Sequence, residues 1–156
     1  MIKKLFKVFF IFILLQGCGF KVQDQSSFKS FHIKEINASG DNRVNFNIKN
    51  KLFLKTGGKD RKHINLIVDT IKTKNIKEKN DQNIITKYII KIDVKIIVKI
   101  KDKIVRKFNL SDERDFNVNN QYSQTIKNEK QAIKDITDKL TDEIISEISN
   151  IEIDDT

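Results

Sequence analysis

Few side chains in this 156-residue chain could do chemistry. Cys18 is the sole thiol, which excludes an intramolecular disulfide framework and every multi-cysteine zinc or iron–sulfur site. The two imidazoles, His32 and His63, each lack a second ligand at metal spacing. His32 is expected on a strand and His63 in a turn, both as structural or surface residues. Asp112-Glu113-Arg114-Asp115 gathers carboxylates with no nucleophile nearby and no sign of a cleft. Gly57-Gly58-Lys59 lacks the rest of a phosphate loop and follows a helical pattern instead of a strand. These residues make no catalytic constellation, so neither an enzyme nor a bound cofactor is expected. Cation chemistry is what remains. Lys87, Lys91, Lys95 and Lys99 recur at every fourth position, and Arg106 and Lys107 follow. Ammonium and guanidinium groups bind phosphates as point charges or forks. On an exposed strand they also deter edge-to-edge aggregation. Both uses stay open at this point.

The N-terminus determines the compartment. Lys3, Lys4 and Lys7 precede the uninterrupted apolar run Val8 to Leu15, which has the length of a secretory signal and not of a spanning helix. Residues 1–17 are therefore expected to be a signal peptide. Leu15-Gln16-Gly17-Cys18 resembles the lipobox of bacterial lipoproteins, in which the cysteine takes a diacylglycerol and becomes the mature N-terminus. The small Gly17 suits the peptidase. A covalent N-acyl diacylglycerol on Cys18, with palmitate among its chains, is the one attached group expected. Gly19 stands where inner-membrane retention would have Asp, so by resemblance to sorted lipoproteins the outer membrane is favoured, on its periplasmic side.

Charge divides the rest. The chain carries +9 overall, from 30 Lys and Arg against 21 Asp and Glu. Lys, Asn and Ile crowd the whole sequence, so raw basicity is weak evidence for any partner. The asymmetry is better evidence: Cys18 to Leu110 has a net charge of +13, and Ser111 to Thr156 has −7. A nucleic-acid binder would interleave aromatics with its basic residues, whereas Lys87 to Lys107 interleaves Ile and Val, with Tyr88 as the only aromatic. No nucleic-acid partner is expected.

The elements that must position the lysines follow from periodicity. Residues 18–30 read as a lipidated N-terminus and polar tether, 31–150 as one α+β domain, and 151–156 as an acidic tail. Phe31, Ile33 and Ile36 make a short first strand, and Asn37 to Asp41 a turn with Ser39 or Asp41 placed to cap a helix. Val44, Ile48 and Leu52 recur at helical spacing, although Val44, Phe46 and Ile48 also alternate as in a strand. Ile64, Leu66 and Val68 mark a strand, and a polar loop is expected from about Asn75 to Asn83. From Ile84 to Lys101 the even positions are almost wholly apolar and the odd ones rich in lysine, which is a long strand with one apolar face. Lys101-Asp102-Lys103 turns the chain into a partner strand, Ile104 to Val118. From about Thr125 to Ser149 the stripe Ala132, Ile136, Leu140, Ile144 gives an amphipathic helix. The order β-α-β-β-β-α, a single sheet covered on one face by two helices, is an α+β two-layer sandwich.

Three features carry a family resemblance: Cys18-Gly19-Phe20 at the mature N-terminus, Tyr122, Glu129, Ala132 and Leu140 across the passage from last strand into C-terminal helix, and the order and size of the elements. Together they resemble the LptE family of lipopolysaccharide-assembly lipoproteins, in its alphaproteobacterial-type branch. The resemblance implies a mixed four-stranded sheet with two helices. It also implies membrane assembly and lipopolysaccharide transport: a lipoprotein plugging an LptD-type outer-membrane β-barrel of the Gram-negative envelope, tethered by lipid to the membrane's inner leaflet. Lipopolysaccharide carries phosphates, and Lys87, Lys91, Lys95, Lys99, Arg106 and Lys107 are the candidates to meet them or the barrel. The alternative is a periplasmic lipoprotein serving as structural or adaptor subunit of another envelope complex.

Overall fold

The computed structural model describes residues 31–55 and 62–151. The signal peptide, Cys18, the tether, Gly57-Gly58-Lys59 and the tail beyond residue 151 lie outside the described residues. Within them the elements are β1 (Phe31–Gly40), α1 (Asn42–Lys55), β2 (Lys62–Lys79), β3 (Ile85–Ile100), β4 (Lys103–Asn117) and α2 (Tyr122–Ser149). The sheet order is β1-β2-β3-β4, with β1 parallel to β2 and the other pairs antiparallel. This is the expected mixed four-stranded sheet, covered on one face by two helices.

The alternation of β3 explains the layering. Ile90, Ile92, Val94, Ile96 and Val98 are all buried, and Val68, Leu66 and Ile64 of β2 join them. Over this face lie Val44, Ile48 and Leu52 of α1, with Ala132, Ile136, Leu140 and Ile144 of α2. Phe46 decides between helix and strand for residues 43–54. A strand would put it beside Val44 and Ile48, but it is 65% exposed while both of those are fully buried. Two threonines also enter the α2 core. Thr137 and Thr141 donate their hydroxyls to the carbonyls of Ile133 and Thr137, each at 2.7 Å, which satisfies both groups inside the helix.

Three boundaries differ from expectation, each because tertiary pairing outweighs local composition. Asn37 to Gly40 are strand and not turn, held by parallel pairing of Asn37 to Gly40 with Ile67 to Thr70. The polar stretch Asn75 to Lys79 is likewise strand, since Asn75, Ile76 and Glu78 pair with Ile89, Tyr88 and Lys87. Only Asn80 to Ile84 turn, with the Asn80 carboxamide oxygen accepting the Gln82 and Ile84 N–H groups. His63 lies in β2, not in a turn. The β3–β4 connection is as expected: Lys101 (φ 46°) and Asp102 (φ 65°) are both left-handed, the conformation of a two-residue hairpin turn matched to strand twist.

The β1–α1 corner fixes where the first helix starts. Gly40 has φ 94° and packs so close to β2 that a methyl group there would collide with the Thr70 carbonyl oxygen. Asp41 then caps α1 by accepting the Arg43 and Val44 N–H groups at 3.1 and 3.0 Å. Its other oxygen meets Lys72 Nζ at 2.6 Å. Partial burial pushes the Asp41 carboxyl up, but the Lys72 ammonium and the two cap bonds outweigh it and hold the group below its usual range. Behind it, Thr70 donates to the Asn45 carboxamide oxygen at 3.0 Å and Asn45 donates to the Ser39 carbonyl at 2.9 Å, so both buried polar side chains are partnered.

Candidate functional site

The face of the sheet turned away from the helices carries the odd-numbered residues of β3, so Lys87, Lys91, Lys95 and Lys99 share it as their spacing predicts. What β3 alone cannot show is what its neighbours place beside those lysines. Register sets Asp69 of β2 opposite Lys95, Glu78 opposite Lys87, and Glu113 of β4 opposite Lys91. Ile67 and Ile71 of β2 alternate with these groups, as do Ile89 and Ile97 of β3. The surface is therefore a mosaic of isoleucine and opposed charge, and not a uniform basic wall.

Ion pairs occupy part of the lysine row. Lys87 Nζ lies 2.9 Å from Glu78 and 3.7 Å from Asp115, and Lys91 lies 2.8 Å from Asp93 in its own strand. The Glu78 carboxylate, then Asp115, holds the Lys87 ammonium above its usual range. Lys91, helped by the Ser111 hydroxyl, holds Asp93 below its own. Lys77 does the same to Asp115 from 3.0 Å. Among the described residues, Lys95, Lys99 and Lys107 have no such ion pair. Lys107 pairs in register with Ile97, which has Lys95 and Lys99 two residues to either side. The three cations thus surround one isoleucine, with Lys95 and Lys99 each roughly 7 Å from it along the strand.

Arg106 does not belong to this group. Its register partner is the buried Val98, so it points to the helix side, where Nη2 meets Glu147 of α2 at 2.7 Å. The same alternation splits Asp112-Glu113-Arg114-Asp115. Asp112 bonds Lys139 at 2.6 Å and Arg114 bonds Asp135 at 2.8 Å under the helix layer, while Asp115 faces the open side. Alternation thus puts Asp112 on the helix side and Glu113 and Asp115 on the open side, with Lys91 opposite Glu113 and Lys77 bound to Asp115. The imidazoles, in contrast, come together. His32 and His63 are register partners across β1 and β2, with ring centroids 5.1 Å apart in an edge-to-face arrangement. Sequence spacing missed this contact because it is made by strand pairing across a helix. Among the described residues no group of three or more His, Cys, Asp or Glu could hold a metal ion.

No helix of the described residues is long and apolar enough to cross a membrane. No family model matches the sequence. No curated protein matches it either. Solved structures do match. The chain superimposes on rare lipoprotein B from Shewanella oneidensis with a TM-score of 0.56 at 11% identity, covering 74% of this chain and 93% of that one. This chain has the rare lipoprotein B fold. A minor lipoprotein from Acinetobacter baumannii gives 0.57 at 13% identity, with 78% and 91% covered. Lipoprotein B from Nitrosomonas europaea gives 0.58 at 15%, with 85% and 91% covered. At these identities the likeness is one of fold.

Proposed function

We propose that the chain is a lipid-anchored outer-membrane lipoprotein that assists lipopolysaccharide assembly at the cell surface, as plug and partner of an LptD-type β-barrel. It is not an enzyme in this reading. One observation carries the proposal: a lone lipobox cysteine stands ahead of a β-α-β-β-β-α sandwich that superimposes on three solved proteins named as lipoproteins. The resemblance of Cys18-Gly19-Phe20 and of the Tyr122 to Leu140 region to LptE supplies the specific role.

The open sheet face supports a plug over a glycolipid carrier as its main use. A plug needs a broad surface that another protein wall can cover. Ile67, Ile89 and Ile97 are half-buried there and Ile71 is exposed, interspersed with charges that already have partners on the same face. The paired part of that face, around Lys87 and Lys91, can be covered without stranding unpaired charge, which would cost far more than a rim ion pair contributes. Lipopolysaccharide phosphates would then meet the cations left over, namely Lys95, Lys99 and Lys107. Depleting the protein and labelling surface lipopolysaccharide tests the role. Loss of surface lipopolysaccharide, with entry of large antibiotics, is expected. Unchanged surface lipopolysaccharide after full depletion refutes it.

A further inference from the structure

Among the described residues, nothing covers the outer face of α1. At about 100° per residue, Arg43, Phe46, Asn50, Phe53 and Leu54 fall within one arc opposite the buried Val44, Ile48 and Leu52. Leu54 is 86% exposed and Phe46 65%. The helix sequence has four basic residues and no acidic one. Lys130 and Lys134 of α2 line the same groove beside Arg43 and Phe46, and its single carboxylate, Asp138, is engaged by Lys51 and Lys134. Apolar side chains flanked by cations on one helix face match the interface of a bilayer with anionic headgroups: rings enter the acyl boundary and ammonium groups meet phosphates.

The topology puts one end of this face beside Phe31, the first described residue after the tether. Because β1 and β2 are parallel, α1 must run back along them. Its last turn, with Phe53 and Leu54, therefore lies at the end of the sheet where Phe31 receives the tether. Twelve residues lie between Cys18 and Phe31, a reach of at most about 45 Å when fully extended. The acyl chains expected on Cys18 would suffice for attachment, so what a second, electrostatic contact adds is a fixed orientation of the domain.

We infer that, before a barrel encloses the domain, the outer face of α1 docks on the anionic phospholipid headgroups of the membrane that holds the lipid anchor, orienting the domain on that surface. This rests on the lipoprotein reading above. It is tested with the full processed protein extracted from membranes. The Cys18 thiol being alkylated, Asn50→Cys or Glu113→Cys supplies the single thiol for an environment-sensitive dye, the first on the α1 face and the second on the open sheet face. The protein is mixed with vesicles of phosphatidylethanolamine and phosphatidylglycerol, or of phosphatidylcholine alone, each containing a lipid-borne quencher.

The expected result is flotation with both vesicle types, and loss of most dye emission only for position 50 on phosphatidylglycerol. That loss should reverse in high salt and be absent when Arg43→Glu and Lys130→Glu are added. Flotation with both vesicles but no quenching at position 50 overturns the docking and leaves the anchor standing. Flotation and quenching with phosphatidylglycerol alone keeps the docking and overturns the anchor. Flotation with neither overturns both. In envelopes from cells depleted of the barrel, a dye at position 50 that is shielded from water-borne quencher, yet out of reach of lipid-borne quencher, means that another protein covers α1 and overturns the proposal.

Discussion

Ile96 and Lys95 are adjacent in β3 and lie on opposite faces of the sheet, which makes them a direct test of the layering. Ile96 is fully buried, paired across the strands with Val68 and Phe108 and covered by the helix layer. Ile96→Ala removes three carbons from a site with no solvent to fill the space. At about 0.8 kcal/mol per buried methylene the transfer loss alone is about 2.4 kcal/mol. The residual cavity raises this within the usual range of about 2–5 kcal/mol, so about 3 kcal/mol is expected. For a domain of this size that is a fall in Tm of about 12 °C. Lys95→Ala, exposed and without an ion pair among the described residues, should stay within about 0.5 kcal/mol. Ile97→Ala, half-buried on the open face, should cost about 1 kcal/mol, since part of its surface is already wet. Urea denaturation followed by circular dichroism gives all three values on one scale. Equal losses at Ile96 and Lys95, or a larger loss at Ile97 than at Ile96, would refute the assignment of inside and outside.

Other expectations follow from the same geometry. Cys18→Ser should leave an unprocessed precursor that takes up no labelled palmitate, read on a gel after metabolic labelling. Asp41→Ala removes the α1 cap and the Lys72 pair and should cost about 1 kcal/mol, as for other cap deletions. Because folding lowers the Asp41 carboxyl from its ordinary 3.8, its contribution should be complete above that value and fade as pH falls through the lower folded one; Asp41→Ala should flatten that part of the stability–pH curve. Reversing Lys95, Lys99 and Lys107 together to Glu should abolish salt-sensitive binding to purified lipopolysaccharide in a protein still folded by circular dichroism. Replacing Arg106 by Ala should leave that binding intact, because its guanidinium is on the other face with Glu147.

How much of this was legible in the chain depends on the range of the interaction. The two faces of β3 and the stripe of α2 are local periodicities, and Ile92, Ile96, Ile136 and Leu140 are buried as their spacing requires. The ends of β1 and β2 were not legible, because Asn37 to Gly40 and Asn75 to Lys79 have turn-like or polar compositions and become strand only through their partners. The candidate face was half legible. The lysine row can be read from β3, but Asp69, Glu78, Glu113 and Asp115 reach it from strands whose register no local pattern reveals. Arg106 was misgrouped with the lysines although alternation sets it opposite Lys107 and on the side of Phe108 and Leu110, which the register with Val98 confirms as the helix side. The His32–His63 contact has no sequence signal at all, since a crossover helix separates the two strands that make it.

The partner decides the assignment to lipopolysaccharide assembly. Affinity capture of the tagged, full-length protein from detergent-solubilised outer membranes, with the bound proteins identified by mass spectrometry, tests it most directly. The expected result is a stoichiometric LptD-type β-barrel that stays bound in high salt, because the open sheet face offers isoleucines alongside charges that already have partners. Recovery of a different envelope complex, or of the lipoprotein alone under conditions that keep outer-membrane barrels intact, would contradict the assignment to lipopolysaccharide assembly.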